Sequence, residues 1–151
     1  MRIRVGVVTA AAAAMLALAV QAGLPGAAGA APTVTQPRSG KYTGLARAHR
    51  KLTLLISGRS VQLVAFQFKC GTVIGATGLN DIRLRKTSTG YRFGIRAHAS
   101  VTFSDNQPDE NAAVDIAGRF SLNGRVARGT LRVRSPRCRD TGSVHWYGRR
   151  R

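Results

Sequence analysis

The stretch "AVDIAGRFSLNGRVARGTLRVR", residues Ala113 to Arg134, alternates apolar and polar side chains on both sides of Asn123-Gly124. Alternation with a period of two is typical of a β-strand that buries one face. Asn-Gly between two such runs predicts a hairpin with a type I′ turn, because both residues tolerate positive φ angles. We therefore expect two antiparallel strands joined at this turn.

Similar apolar and alternating runs fill most of the chain after residue 40. Gly58-Arg59 separates two of them and predicts a second hairpin. Roughly eight short strands at a spacing of about 8–12 residues indicate an all-β protein, a single antiparallel sandwich or barrel. Beyond the Asn-Gly hairpin, the predicted strands lie in "LTLLIS" (52–57), "SVQLVAFQFKC" (60–70), "DIRLRK" (81–86), "YRFGIRAHASVTF" (91–103) and "GSVHWYG" (142–148).

Two segments between these runs are harder to assign. "GTVIGATGLN" (71–80) is expected to be a loop because of its glycines. "TGLARAHRKL" (43–52) is the one candidate helix, and we interpret it as an extension of a strand or loop because of Gly44. Three stretches set an aromatic residue beside a basic one after a glycine: Gly40-Lys41-Tyr42, Gly90-Tyr91-Arg92-Phe93 and Gly118-Arg119-Phe120. The rings are expected in the core, with a recurring binding element as the alternative. These rings are Tyr42, Phe93 and Phe120.

The first thirty residues are typical of a secretory signal peptide. Arg2 and Arg4 precede an apolar run (5–20), and Ala28-Gly29-Ala30 fits a cleavage site before residue 31. An uncleaved anchor is the alternative, since the run approaches the length of a spanning helix. We expect a signal peptide at 1–30, a flexible leader at 31–39, a β domain at 40–148 and a basic tail at 149–151. No later stretch predicts a membrane span, so the protein is expected to be secreted.

Cys70 and Cys138 are the two cysteines of the chain. In an exported protein an even number of cysteines predicts a disulfide. Closing a loop of about 69 residues would destabilise the unfolded chain by ~4.4 kcal/mol. We interpret "CRDTGSVHW" (138–146) as a structural clasp in which Val144 and Trp146 point into the core. Asp140 is expected to pair with Arg137 or Arg139.

The chain has 24 basic and 6 acidic residues, a net charge of +18. Loss of Arg2 and Arg4 with the signal peptide leaves 22 basic residues against 6 acidic ones, hence +16. Alternation places many arginines on outward faces of the sheet. Guanidinium groups bind phosphate and carboxylate oxygens with two-pronged geometry. The candidate anion-binding residues are Arg83, Arg85, Arg92, Arg96, Arg119, Arg128, Arg132 and Arg134.

The expected partners are polyanions outside a cell: teichoic acid, acidic polysaccharide, extracellular nucleic acid or anionic lipid headgroups. Apart from Tyr147 and Tyr42, the polar face offers no aromatic side chain for stacking bases, so no specific nucleic-acid readout is expected. The alternative to anion binding is that the arginines form an ordinary solvated surface whose charge has no function. The chain is expected to be a monomer.

The sequence contains no G-x-S-x-G, H-E-x-x-H or P-loop motif. "SDNQPDEN" (104–111) is interpreted as a polar hairpin loop rather than a Ca²⁺ site. His49, His98 and His145 lie at no metal-ligand spacing from the cysteines. We therefore expect no catalytic residues, metal or cofactor. Asp115 and Asp140 leave open a small hydrolase, which needs two facing carboxylates.

The C-terminal half resembles a recurrent type of small exported β-domain in high-GC Gram-positive bacteria. The residues that carry this resemblance are Gly118-Arg119-Phe120, Gly129-Thr130-Leu131, Cys138, Thr141-Gly142 and Trp146, together with Gly40-Lys41-Tyr42-Thr43-Gly44 and Cys70. The resemblance implies an all-β sandwich or barrel and no particular activity. The high arginine content departs from it. The function expected is non-catalytic association with anionic envelope or extracellular polymers, with a structural or protein-partner module as the alternative.

Overall fold

The computed structural model describes residues 33–151; the predicted signal peptide lies outside these residues. Nine strands and one 3₁₀ turn (Arg47–His49) form the described chain. The strands are β1 Gly40–Ala46, β2 Arg50–Ser57, β3 Ser60–Cys70, β4 Val73–Arg83, β5 Arg85–Thr87, β6 Gly90–Phe103, β7 Glu110–Phe120, β8 Val126–Arg134 and β9 Val144–Arg150. The all-β class is confirmed, and the candidate helix (43–52) comprises the end of β1, the 3₁₀ turn and the start of β2.

The strands close into an antiparallel barrel. Neighbours in the sheet follow the order β4-β3-β2-β1-β9-β8-β7-β6-β5. Gly75 of β4 pairs with Phe103 of β6, which closes an eight-stranded ring with β5 added at one end. Closure pairs strands that would otherwise leave open edges. The structure thus decides between sandwich and barrel.

The barrel has two ends that differ in their loops. The upper end, as we call it, carries the turns at 58–59, 88–89 and 121–125. The lower end carries the connections at 47–49, 71–72, 104–109 and 135–143. The lower end thus contains Cys138, in the connection at 135–143, and the predicted polar hairpin loop, which lies between β6 and β7. The two ends therefore differ in both loop length and acidic content.

The interior is filled by the side chains that alternation assigned to the core. Tyr42, Phe93, Phe120 and Trp146 are all buried, as predicted. Tyr42 meets Phe120 edge-on at 5.5 Å between ring centroids, and Phe93 lies 6.0 Å from Phe120 and 5.9 Å from Trp146. Tilted and edge-on ring pairs add to the stability gained by burying apolar area. The tryptophan of the clasp is thus a core residue.

The glycine-rich segment 71–80 was expected to be a loop, and this is wrong. It forms most of β4, which pairs with β3 from Cys70–Val73 to Ser60–Arg83. Gly75 is buried, and a Cβ atom there would overlap the ring of Phe68. The glycine therefore makes room for a core aromatic in a strand rather than bending the chain.

The Asn-Gly turn lies where the sequence predicts it, but it is not of type I′. The loop spans five residues, and Gly124 has a positive φ (65°) whereas Asn123 does not. Gly124 N donates to Ser121 O at 2.8 Å, and Asn123 accepts a hydrogen bond from the Arg125 amide through its side chain. Such a longer loop closed by a left-handed glycine is a common alternative to the two-residue hairpin.

The leader and the basic tail were both expected to be flexible. The described residues of both segments contact the barrel. In the leader, Thr35 N donates to Leu122 O at 3.0 Å, and Pro37 is buried. The hydroxyl of Tyr42 donates to Gly124 O at 2.6 Å beneath this segment. At the other terminus β9 continues to Arg150, so the proposed tail boundary at 149 falls inside a strand.

The disulfide between Cys70 and Cys138 is confirmed, with a Cα–Cα distance of 5.2 Å. Cys70 ends β3, and Cys138 lies in the connection between the neighbouring strands β8 and β9. In the ring, β2 and β1 stand between β3 and β9. The bond therefore joins two distant walls at the lower end. Thr141 fixes the same loop, because its Oγ1 accepts from Val133 N at 2.9 Å.

Candidate anion-binding surface

Four of the predicted arginines stand directly opposite one another on consecutive strands. Arg85 of β5 pairs with Arg92 of β6, Arg92 with Arg119 of β7, and Arg119 with Arg128 of β8. We call these four residues the arginine row. Adjacent strands lie about 4.8 Å apart, so the row crosses roughly 14 Å of the barrel wall. It runs perpendicular to the strands near the upper end.

The core residues beside each arginine determine that it faces outward. Arg92 lies between buried Tyr91 and Phe93, and Arg119 lies between buried Gly118 and Phe120. Because successive side chains of a strand point to opposite faces, both guanidinium groups reach solvent. All four arginines of the row are exposed.

Shallow depressions adjoin the row on both sides. One of about 480 Å³ lies toward the lower end and is lined by Arg92, Arg119 and Arg128 together with Thr130 and His145. A second of about 390 Å³ contains the same three arginines and Leu122, which is 42% exposed. A third, of about 400 Å³, lies between Arg85 and Arg92. Arg92 lines all three, so the row borders a concave surface.

The other four predicted residues are not part of this row. Arg96 forms an ion pair with Asp115 at 2.8 Å, and Arg132 is bound by Asp140. Arg83 stands opposite Ser60, and Arg134 stands opposite Ala113. Arg96 and Arg132 thus have acidic partners within the protein. The structure brings together half of the predicted set.

Asp140 pairs with Arg132, so the expected pairing with Arg137 or Arg139 is wrong. Arg132 Nε lies 2.8 Å from Asp140 Oδ1, and Gly142 N donates to the same oxygen at 2.8 Å. These hydrogen bonds lower the pKa of the Asp140 carboxyl to about 2, and the bond from Arg132 has the largest effect. Charge-assisted hydrogen bonds favour the ionised carboxylate.

Arg137 instead holds the polar loop between β6 and β7. It binds Asp105 at 3.0 Å and Glu110 at 3.6 Å, and its guanidinium lies 4.7 Å from the centroid of the Phe103 ring. This cluster accounts for two of the acidic side chains of the lower end. Ring and carboxylates together fix one arginine beside the disulfide.

Within residues 33–151, the ion pairs involve Arg96, Arg132 and Arg137 and none of the arginine row. Along β7, Asp115 is four residues from Arg119, about 13 Å in an extended strand. That distance exceeds the Debye length at physiological ionic strength, about 8 Å. Among the described residues, none of the four arginines of the row therefore has a carboxylate at ion-pair distance.

An exposed aromatic side chain extends the row at its β8 end. Tyr147 of β9 pairs with Arg128, and its side chain is 51% exposed. The sequence singled out Tyr147 and Tyr42 as possible outward aromatics; Tyr42 is fully buried. On its other side Tyr147 pairs with Leu45 of β1. The sequence showed that Tyr147 faces outward but not that it adjoins arginines.

No cluster of three or more His, Cys, Asp or Glu side chains in 33–151 is arranged to hold a metal ion. No helix in that part of the chain is long and apolar enough to span a bilayer. Five surface depressions of the described residues have no carboxylate in their lining, and so none of these five offers the facing carboxylates of a glycosidase.

Comparison of the chain with protein-family models, curated proteins and solved structures gives no significant match. The resemblance to small exported bacterial β-domains therefore stays a prediction. Inference about function rests on the arginine row and its surroundings.

Proposed function

We propose that this protein binds anionic polymers through the arginine row, without catalysis, and that it does so outside the cell as its predicted signal peptide suggests. The observation that carries the proposal is the register: Arg85, Arg92, Arg119 and Arg128 occupy opposite positions on four consecutive strands. The candidate ligands are anionic polymers of the cell envelope or of the extracellular medium.

The energetics of the sheet support this proposal. Like charges directly opposite each other across strands destabilise a sheet. The row contains three such contacts in succession, and the stability of the isolated protein gains nothing from them. A polymer that carries several oxyanions would relieve this repulsion and could accept paired N–H donors from each guanidinium.

The distribution of the remaining charge also supports it. Four of the six acidic residues, Asp105, Asp109, Glu110 and Asp140, lie in or beside loops of the lower end, whereas Asp115 lies in the middle of β7 and Asp81 lies near the upper end of β4. The upper part of the barrel consequently carries most of the uncompensated positive charge. Such an asymmetric field draws polyanions toward the arginine row and raises their rate of association.

Two triple variants of equal charge test the proposal. Arg92→Ser/Arg119→Ser/Arg128→Ser removes three charges from the row, and Arg96→Ser/Arg132→Ser/Arg134→Ser removes three charges elsewhere on the outer face. We expect the first variant to elute from immobilised heparin at much lower salt than the second. The slope of log K against log salt should fall by about 2–3 for the row variant, since each lost contact contributes about 0.7–0.9.

Far-UV circular dichroism and thermal melting establish that both variants remain folded. Equal loss of binding in the two variants would mean that total charge, not the row, governs association. Unchanged retention of the row variant would favour the alternative in which the charge is incidental.

A further inference from the structure

We infer that the site takes an acidic polysaccharide, with a sugar ring stacked on Tyr147 and the acidic groups of the chain bound by the arginine row. This inference deepens the proposed function and rests on it. It follows from what lies next to the row rather than from the row itself. The relevant neighbours are Tyr147, Leu45 and a second depression on the barrel wall.

A ligand that lies along the arginine row would also contact Tyr147. It is the next residue in register after Arg128, so the path from Arg85 to Tyr147 crosses four inter-strand spacings, roughly 19 Å. A ligand that contacts both ends must therefore be a polymer segment. Tyr147 would then bind an uncharged part of that segment, while the arginine row binds its anionic groups.

The surface around Tyr147 is apolar. A depression of about 340 Å³ is lined by Leu45, Ala46, Arg47, His145, Trp146 and Tyr147. It shares His145 and Trp146 with the depression of about 480 Å³ beside the row, so the two adjoin. The concave surface thus changes from cationic to apolar along its length.

Positive charge returns beyond this apolar segment. Lys51 of β2 pairs with Leu45 and is exposed, and the exposed Arg47 lines the same depression from the 3₁₀ turn. The order around the barrel wall is therefore cations, an aromatic–aliphatic pair, and cations again. A matching ligand carries acidic groups at intervals and apolar surface between them.

An acidic polysaccharide has this character. One face of a pyranose ring presents C–H groups that pack against an aromatic ring, while carboxylate or sulfate substituents project from the rim to meet guanidinium groups. Single-stranded nucleic acid needs several aromatic platforms for successive bases. Among residues 33–151, Tyr147 is the one aromatic side chain with large exposure. The structure therefore favours sugar over nucleobases.

The test compares three probes of similar charge: a heparin oligosaccharide, linear inorganic polyphosphate and oligo(dT). Polyphosphate serves as the control ligand because it has oxyanions but no rings. Tyr147→Ala removes the ring, and Tyr147→Phe keeps it as the matched control. Affinities are measured by fluorescence anisotropy at fixed salt, with thermal melting to show that both variants fold.

We expect Tyr147→Ala to weaken heparin binding roughly 2–10-fold, the size of an aromatic stacking contribution. Polyphosphate binding should stay within about twofold under the same change, and Tyr147→Phe should bind both ligands like the unmodified protein. Unchanged heparin affinity in Tyr147→Ala would overturn the inference, and so would an equal loss for heparin and polyphosphate.

A larger loss for oligo(dT) than for heparin would overturn it in favour of a nucleic-acid ligand. Failure of the proposed function is a separate result, because it is read from polyphosphate binding of the Arg92/Arg119/Arg128 variant. If that variant loses polyphosphate while Tyr147→Ala leaves heparin unaffected, polyanion binding stands and sugar stacking fails.

Discussion

Trp146→Ala tests whether the C-terminal clasp is part of the core. The Trp146 side chain is 3% exposed, packs 5.9 Å from Phe93, and stands opposite Gly129 in the β8–β9 register. A buried tryptophan removes roughly 150–250 Å² from water. At about 25 cal/mol per Å² the transfer contributes about 4–6 kcal/mol to folding.

One feature of the indole reduces the net loss. Its Nε1 is buried and has no hydrogen-bond partner in the described residues, and a buried unpaired donor costs about 1–3 kcal/mol. Truncation removes this cost together with the favourable packing. We therefore expect Trp146→Ala to lower the free energy of unfolding by about 3 kcal/mol, the lower end of the usual range for such substitutions.

Trp146→Phe is the matched control. It keeps an aromatic ring against Phe93 and removes the unpaired N–H, so it should cost clearly less than Trp146→Ala. Urea denaturation followed by far-UV circular dichroism measures both free energies with the disulfide intact. A loss below about 1 kcal/mol for Trp146→Ala, or equal losses for the two variants, would refute the assignment of this side chain to the core.

Two further predictions concern the lower end of the barrel. Replacing Cys70 and Cys138 together by serine should cost about 4 kcal/mol, since the bond closes a long loop, and urea midpoints of the variant and the oxidised protein check this. The Asp140 carboxyl should titrate near pH 2 by NMR, and Arg132→Ser should raise that pKa toward 3.8. Because the folded-state pKa is lowered, the pair stabilises the protein fully above about pH 4 and loses its effect as pH falls toward 2; a flat stability profile across this interval would contradict the assignment.

Periodicity in the sequence was sufficient to predict the faces of the strands. Buried Val114, Ile116 and Leu131 and exposed Arg119 and Arg128 follow directly from alternation. Alternation is a local property, and each strand carries it independently of its neighbours. Because the Asn123-Gly124 turn joins two such strands, the sequence also predicted that β7 pairs with β8.

Contacts between distant segments were not predictable in the same way. The segment containing Gly75 looks like a loop because glycine usually marks turns, and only the position of Phe68 explains its place in a strand. Asp140 has arginines as sequence neighbours, yet the fold brings Arg132 closer in a suitable geometry. Ring closure depends on the register of all strands, which no single segment encodes.

The same dependence on register explains why the sequence identified the arginines but not the row. Gly118 and Gly129 stand opposite each other, and a Cβ atom at Gly118 would lie 2.6 Å from the Phe93 ring and 2.7 Å from that of Trp146. The two rings therefore pack where these strands lack side chains, which favours one alignment of β7 with β8. A slip of one residue would turn Arg119 toward the core, and a slip of two would separate it from Arg128. The packing of rings over glycines inside the barrel thus aligns the cations outside it, so that the stability of the core and the alignment of the arginine row depend on one register.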